Sequence, residues 1–385
     1  MGKEKSTLSE KCPSCCAPLK YNGKKEKFEC EYCKGTYTLF ELEEYKKSLK
    51  EEKKEKEEQI EEQETRDNDN NKDKKLKNIE KKDSKAVNNK LGEKTMSVNT
   101  YYCENCGATI VLGENTSSTS CLYCKSTALI RDRLEEVYQP SKIITFKVTK
   151  DEAIEKYKSL VSKRHFIPSR FKDSNNIQDM EGLYVPFWLY DLSNSVDVKI
   201  LGTKVRTWSD SQYNYTETKY YDITGNGVLN FDNIPNDGSV RFDDNIMNAI
   251  EPFDYNEFKD FNISYLSGYL SEKYDVDSEK AYENVSKRIT RDSRNYCVEN
   301  CDGYYTSKTI KDYSESINKG EIEYVLLPVW VLNIKYNDKI YKFSINGQTG
   351  KMVGEIPINW TKFLLFLLGI FVFVFVLLYF IIRGV

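Results

Sequence analysis

Apolar and polar positions alternate along this chain with several different periods. The simplest stretch is the last one. Phe363 to Ile382 is twenty residues without a charge or a proline, and at about 1.5 Å rise per residue it predicts a helix on the order of 30 Å long, the thickness of a bilayer's hydrocarbon core. A core helix apolar on every face needs partner surface all round, and the remaining chain is too polar to supply it. The pattern therefore predicts a transmembrane helix over 363–382, a single-pass C-terminal anchor for everything on its N-terminal side.

Residues 138–357 carry the apolar and aromatic content of a folded domain. Lys150 to His165 begins with Asp151 and Glu152 and sets Ile154, Tyr157 and Val161 on one face, which predicts an amphipathic helix. Strand-like runs rich in Val, Tyr, Thr and Trp follow at 183–192, 196–208, 213–224, 324–336 and 339–345, with helical patterns at 258–270 and 278–291 between them; Asp275 or Asp277 is available as a cap. That order predicts an α+β fold with a mostly antiparallel sheet and inserted helices. Two segments, Leu183-Tyr-Val-Pro-Phe-Trp-Leu-Tyr and Val325-Leu-Leu-Pro-Val-Trp-Val-Leu, resemble each other. Because proline cannot donate to a ladder, both should start at an edge or carry a bulge, with Trp188 and Trp330 turned into the core.

Residues 41–97 are mostly Lys, Glu, Asn, Asp and Gln. Leu42, Tyr45 and Leu49 allow a short helix, and Glu/Lys alternation to about Glu64 favours further helical or coiled-coil character. Beyond it the chain is too polar to offset the entropy of ordering. This linker reads equally as a solvated spacer or as a tether that lets the segment before it search for a partner.

The chemistry lies in the cysteines. Cys12, Cys15, Cys30 and Cys33 form two CxxC pairs 14 residues apart, and Cys103, Cys106, Cys121 and Cys124 repeat the pattern 91 positions later. Each CxxC presents two thiolates from one tight turn, and two such turns complete the S4 shell that zinc prefers over disulfides or an iron–sulfur site here. Two zinc ribbons are predicted, at 11–40 and 101–130, each with one structural zinc ion. A four-thiolate shell leaves no position for water or substrate, so the metal folds the module and does not catalyse. Cys16 stands beside a full shell, and Cys297 and Cys301 cannot complete a site.

No acid, base and nucleophile converge elsewhere. His165 is the only histidine, and the Asn346-Gly347 turn lacks the spacing of a phosphate loop, so no enzyme is expected. The net charge of −3 gives no general attraction to nucleic acid. Six lysines against three glutamates leave 11–40 at +3, and Glu104 and Glu114 against Lys125 leave 101–130 at −1, before a Zn(Cys)4 unit subtracts about two from each. Protein partners therefore fit better than the alternative, a nucleic-acid-binding or replication-associated ribbon protein. The polar segment from Met1 to Glu10 has no export signal, and reduced thiols place the N-terminal bulk in the cytoplasm.

The Cys103 to Cys124 ribbon, Gly182-Leu-Tyr-Val-Pro-Phe-Trp, Tyr265-Leu-Ser-Gly-Tyr-Leu, Leu326-Leu-Pro-Val-Trp and Asn346-Gly-Gln-Thr-Gly-Lys together resemble the bacterial membrane proteins described as TFIIB-type zinc-ribbon-containing, some of them mislabelled as primosomal helicases. The resemblance covers about Tyr101 to Pro357. It implies a non-enzymatic adaptor at the cell membrane with flotillin-like (SPFH) or phage-shock-type partners, and it supplies no catalytic residue.

Overall fold

The β-branched and aromatic runs join into strands far longer than their separate signals suggest. The computed structural model describes residues 10–51, 95–111, 121–124, 126, 129–242 and 244–383; the linker from 52 to 94, with its expected coiled-coil character, lies outside them. At the N-terminal end, β1 (Leu19–Asn22), β2 (Lys27–Cys30) and β3 (Thr36–Tyr37) make a three-stranded antiparallel sheet. A helix, α1, follows over 39–51 and closes that small core with Leu42.

The second sheet has eleven strands. In chain order its region contains β4 (Thr95–Cys103), β5 (Thr109–Val111), β6 (Leu129–Tyr138), β7 (Lys142–Ile143), α2 (Lys150–Ser162), α3 (Ser174–Gln178), β8 (Glu181–Ser209), β9 (Asn214–Asp237), α4 (Asp244–Ile250), β10 (Lys259–Asp260), β11 (Leu270–Glu272), α5 (Ser278–Glu299), β12 (Ser307–Tyr336), β13 (Lys339–Asn346), β14 (Met352–Gly354) and α6 (Trp360–Arg383). The path through the sheet is β10-β7-β12-β8-β11-β5-β4-β6, with β9 beside β8 and β13 and β14 beside β12. The fold is thus α+β, and its long pairings are antiparallel. α2 starts at a capping box between Thr149 and Glu152, and α5 starts at Asp277. α2 stops at Ser162, short of the expected His165, because its last inward residue is Val161. The expected helix at 258–270 is absent. Asn262 caps a single 3-10 turn at Ile263–Leu266, Gly268 takes a φ of 85°, and the flanking residues pair as strands.

The two Pro-x-Trp segments are the centre of an internal duplication. β8 and β12 pair antiparallel with Val185 opposite Leu327, and residues 142 apart along the two strands are equivalent. Around that pair every neighbour recurs. β11 runs parallel to β8 at Leu183, and β7 runs parallel to β12 at the equivalent Val325. The Trp188 Nε1–H donates to the Val276 carbonyl at 2.9 Å, just before the Asp277 cap of α5; the Trp330 Nε1–H donates to Val148 at 2.8 Å, just before the Thr149 cap of α2. Tyr274 meets Trp188 edge-on at 5.5 Å, and Phe146 meets Trp330 at 5.0 Å. Each unit is a short strand, a helix, a long strand and a returning strand, and the two exchange short strands.

The exchange shows why the prolines do not sit at sheet edges or bulges. Both are inside central strands. Pro186 accepts from the Gly238 amide and Pro328 from the Gly347 amide, each at 2.8 Å. On that side of β8, β11 pairs at residues 183–184 and β9 from Phe187, so the missing proline donor faces the gap between two partners; β7 and β13 leave the same gap beside Pro328. The opposing residue must be glycine at Gly347, where a Cβ would come within 2.8 Å of Pro328 Cβ. Trp330→Phe keeps an aromatic side chain but deletes the donor and part of the buried indole, so it should cost about 2–4 kcal/mol in urea unfolding. Trp188→Phe should match it, and a clear asymmetry between the two would count against the equivalence.

Beyond residue 192, β8, β9 and the first part of β12 leave the body as a three-stranded arm, with α5 covering its even-numbered face from Leu192 to Ile200. Past Thr203 only the β8–β9 hairpin continues. Leu192 to Ser209 spans roughly 60 Å at about 3.3 Å per residue. Trp208 stacks on Tyr215 near the tip, with Arg206 over Trp208 and Tyr213 63% exposed. The opposite end of β12 is linked to the start of α6 through the loop over 163–172. Tyr336 packs on Phe171, and the adjoining loop binds that helix, with the Asn359 amide donating to Phe166 O at 2.8 Å and Lys362 Nζ to Ile167 O at 3.1 Å. α6 has 24 residues, none buried, and is long and apolar enough to cross a membrane, as a single-pass anchor requires.

Candidate metal centres

Three of the CxxC turns are built by the same backbone device. The Cys16 amide donates to Cys12 O, Lys34 to Cys30 O and Gly107 to Cys103 O, at 2.7 to 3.0 Å. The residue closing each turn is left-handed, with φ of 59° at Cys16, 61° at Lys34 and 71° at Gly107. Amide-directed turns of this kind hold two sulfurs on one side, and β1–β2 and β4–β6 bring the paired turns together.

The eight predicted ligands fall into two groups, Cys12, Cys15, Cys30, Cys33 and Cys103, Cys106, Cys121, Cys124, with the sulfurs of each group within 4.8 Å of one another. Cys12 and Cys33 Sγ lie 3.5 Å apart, as do Cys15 and Cys30; Cys103–Cys124 and Cys106–Cys121 are 3.6 Å apart. Tetrahedral Zn–S bonds of about 2.3 Å imply S–S edges of about 3.8 Å, so both groups could hold a metal ion and their spacing is consistent with zinc.

The thiols do not share one affinity for protons. Burial raises Cys12, but the Tyr37 hydroxyl and the Ser14 and Cys15 amides outweigh it and bring the thiol to about 6. Burial likewise opposes Asn105 and the Ser126 amide at Cys124, and the balance is about 7. Cys106 and Cys121 are pushed up, chiefly by burial. Cys30 is lowered as well, chiefly by the Cys33 amide. Thiols that are still protonated release their protons as a cation enters, so metal uptake weakens as pH falls.

Neither group hangs free of the body. The first is docked on the 262–269 segment, which corrects the tether reading. Tyr21 N donates to Ser267 O at 3.1 Å, Ser267 Oγ to Leu19 O at 2.6 Å, and Tyr269 OH to Tyr21 O at 3.2 Å. Tyr265 stacks beside Phe28 and meets Tyr21 edge-on, while Lys24 pairs with Glu152 of α2. The second group is part of the large sheet through β5 and β11. Arg241 donates to the Cys106 and Gly107 carbonyls and faces Glu272 and Asp275, and Asn333 Nδ2 donates to Leu122 O at 2.8 Å. Burial raises the Glu272 carboxyl to about 8. These supports come from sequence distant by up to 211 residues, so no local signal points to them.

The remaining candidates stay apart. Cys16 is exposed outside its group, and Cys297 and Cys301 belong to no metal-binding group among the described residues. His165 is exposed beside Phe166. Asn346 to Lys351 is a hairpin turn between β13 and β14, and Trp188 and Trp330 are core residues.

Two thiol quartets on an α+β body, with one helix able to cross a bilayer, define a candidate metal-binding, membrane-anchored class. The chain belongs to the family of YdjG from Bacillus subtilis (strain 168), described as an uncharacterized protein. The two are 34% identical over 235 residues, which is 61% of this chain and 69% of YdjG. No family model matches the chain, and no solved structure matches it.

Proposed function

We propose that this protein is a membrane-anchored adaptor that binds two structural zinc ions, performs no catalysis and recruits protein partners through its β arm. The observation that carries this reading is that the arm lies at one end of β12 while the other end is linked, through the loop over 163–172, to the head of α6. An anchored scaffold needs a contact surface that stands clear of lipid, and the tip offers aromatic and arginine side chains, the residue types that dominate interface energetics. The docked ribbons brace the body and are not the recruiting surface. Following the resemblance to the TFIIB-type ribbon proteins, the partners are of flotillin-like (SPFH) or phage-shock type, and the bulk of the chain faces the cytoplasm, where its thiols stay reduced.

Replacing Trp208, Tyr213 and Tyr215 together by alanine in the full-length chain tests this. Affinity purification from membranes should recover the SPFH or phage-shock partner at least about tenfold less efficiently. Zinc content and membrane retention should not change. An unaltered partner set would overturn the assignment of the arm.

A further inference from the structure

We infer that the loop over 163–172 is a headgroup clamp, a surface that seats the body on anionic phospholipid beside the anchor. The inference rests on reading α6 as a membrane span. The loop is tied to the head of α6 by the Asn359 and Lys362 bonds to Phe166 and Ile167, and Lys362 Nζ also lies 3.4 Å from Ser169 Oγ. The half-buried Phe166 ring packs on Phe363 at 5.3 Å and Phe366 at 5.2 Å, the first turn of the apolar run. A loop at that depth is held where hydrocarbon gives way to headgroups, whatever the orientation of the rest of the body.

Its charge suits that place. Lys163, Arg164, Arg170 and Lys172 are all exposed, and no aspartate or glutamate lies between Lys163 and Lys172. Asp173, the next residue, is engaged in capping α3 through the Asn175 amide. In a chain of net charge −3 this is a local cluster of one sign, and only folding brings it to the membrane, since almost 200 residues separate it from α6 in sequence. The phosphate of an acidic lipid is the chemistry such a cluster recognises, and the trapped Phe166 fixes its depth.

Full-length protein purified in neutral detergent with an equimolar mixture of phosphatidylglycerol and phosphatidylcholine tests the clamp by the lipid that remains bound. Wild type should retain phosphatidylglycerol at least about tenfold over phosphatidylcholine, because each cation near an anionic surface is worth roughly a fivefold preference. The K163Q/R164Q/R170Q/K172Q variant should lose the preference, whereas K199Q/K204Q/R206Q/K219Q, with the same charge change on the arm, should keep it. On wild type alone, about 0.5 M salt should abolish it. Equal retention of both lipids by wild type, or a salt-insensitive preference, would overturn the clamp. Loss of wild type from membranes under alkaline extraction would instead overturn the anchor.

Discussion

Cys106→Ser should lower bound zinc from two ions per chain to one and reduce the thermal midpoint by about 10 °C or more. A serine hydroxyl is a poor replacement for thiolate, and structural zinc contributes an apparent 10 kcal/mol or more, roughly, to folding a module of this kind. The damage should not stop at the ribbon. Arg241 would lose the Cys106 and Gly107 carbonyls, Asn333 would lose the Leu122 carbonyl, and β11 would lose β5 as its neighbour. Stranding charged or buried donors costs about 1–3 kcal/mol each. Cys15→Ser should also remove one ion but lower the midpoint less, because the first ribbon docks on a surface segment and shares no strand with the large sheet. Metal analysis together with calorimetry checks both variants; two ions and an unchanged midpoint in Cys106→Ser would sink the account.

The other large effect belongs to α6. Phe371→Arg with Val374→Arg should move most of the chain from the membrane pellet to the soluble fraction. Each arginine at the centre of a span costs about 2.5–3.5 kcal/mol on the insertion scale, so the pair shifts the partition by more than about a thousandfold. Gly369→Leu, where an added Cβ meets nothing within 4 Å, should leave the pellet unchanged. Alkaline extraction followed by ultracentrifugation gives the answer, and a double variant that still pellets would refute the span.

The parts of this molecule that could be read from sequence are those set by local chemistry. Thiol spacing alone picked out both groups of four cysteines that could hold a metal ion, because a CxxC turn is closed within five residues. The absence of charge over 363–382 marked the one helix among the described residues that is long and apolar enough to cross a membrane. Asp277 and Thr149–Glu152 start their helices as local rules require. What escaped depends on distant pairing. The helical pattern at 258–270 was overridden because that segment serves as a seat for the first ribbon, through Ser264, Ser267 and Tyr269. Pro186 and Pro328 look like strand breakers until β11, β9, β7 and β13 are placed, when the gap that each occupies becomes visible. The similarity of the two Pro-x-Trp segments was legible, but not the exchange that makes each tryptophan cap the other unit's helix entrance.

That exchange also sets a timetable for the nascent chain. β7 is made early, yet its parallel neighbour at Val325–Leu326 emerges some 180 residues later; β8 gains β9 soon after its own synthesis but must wait for residues 270–271 at its start and 307–331 along its other margin. Such high contact order makes the body a slow folder, with one whole margin of its central strand bare until β12 is made. A cell producing this protein would have to shield that strand until the second half arrives, and a message truncated between the units would yield a product whose stickiest surface has nothing to close on.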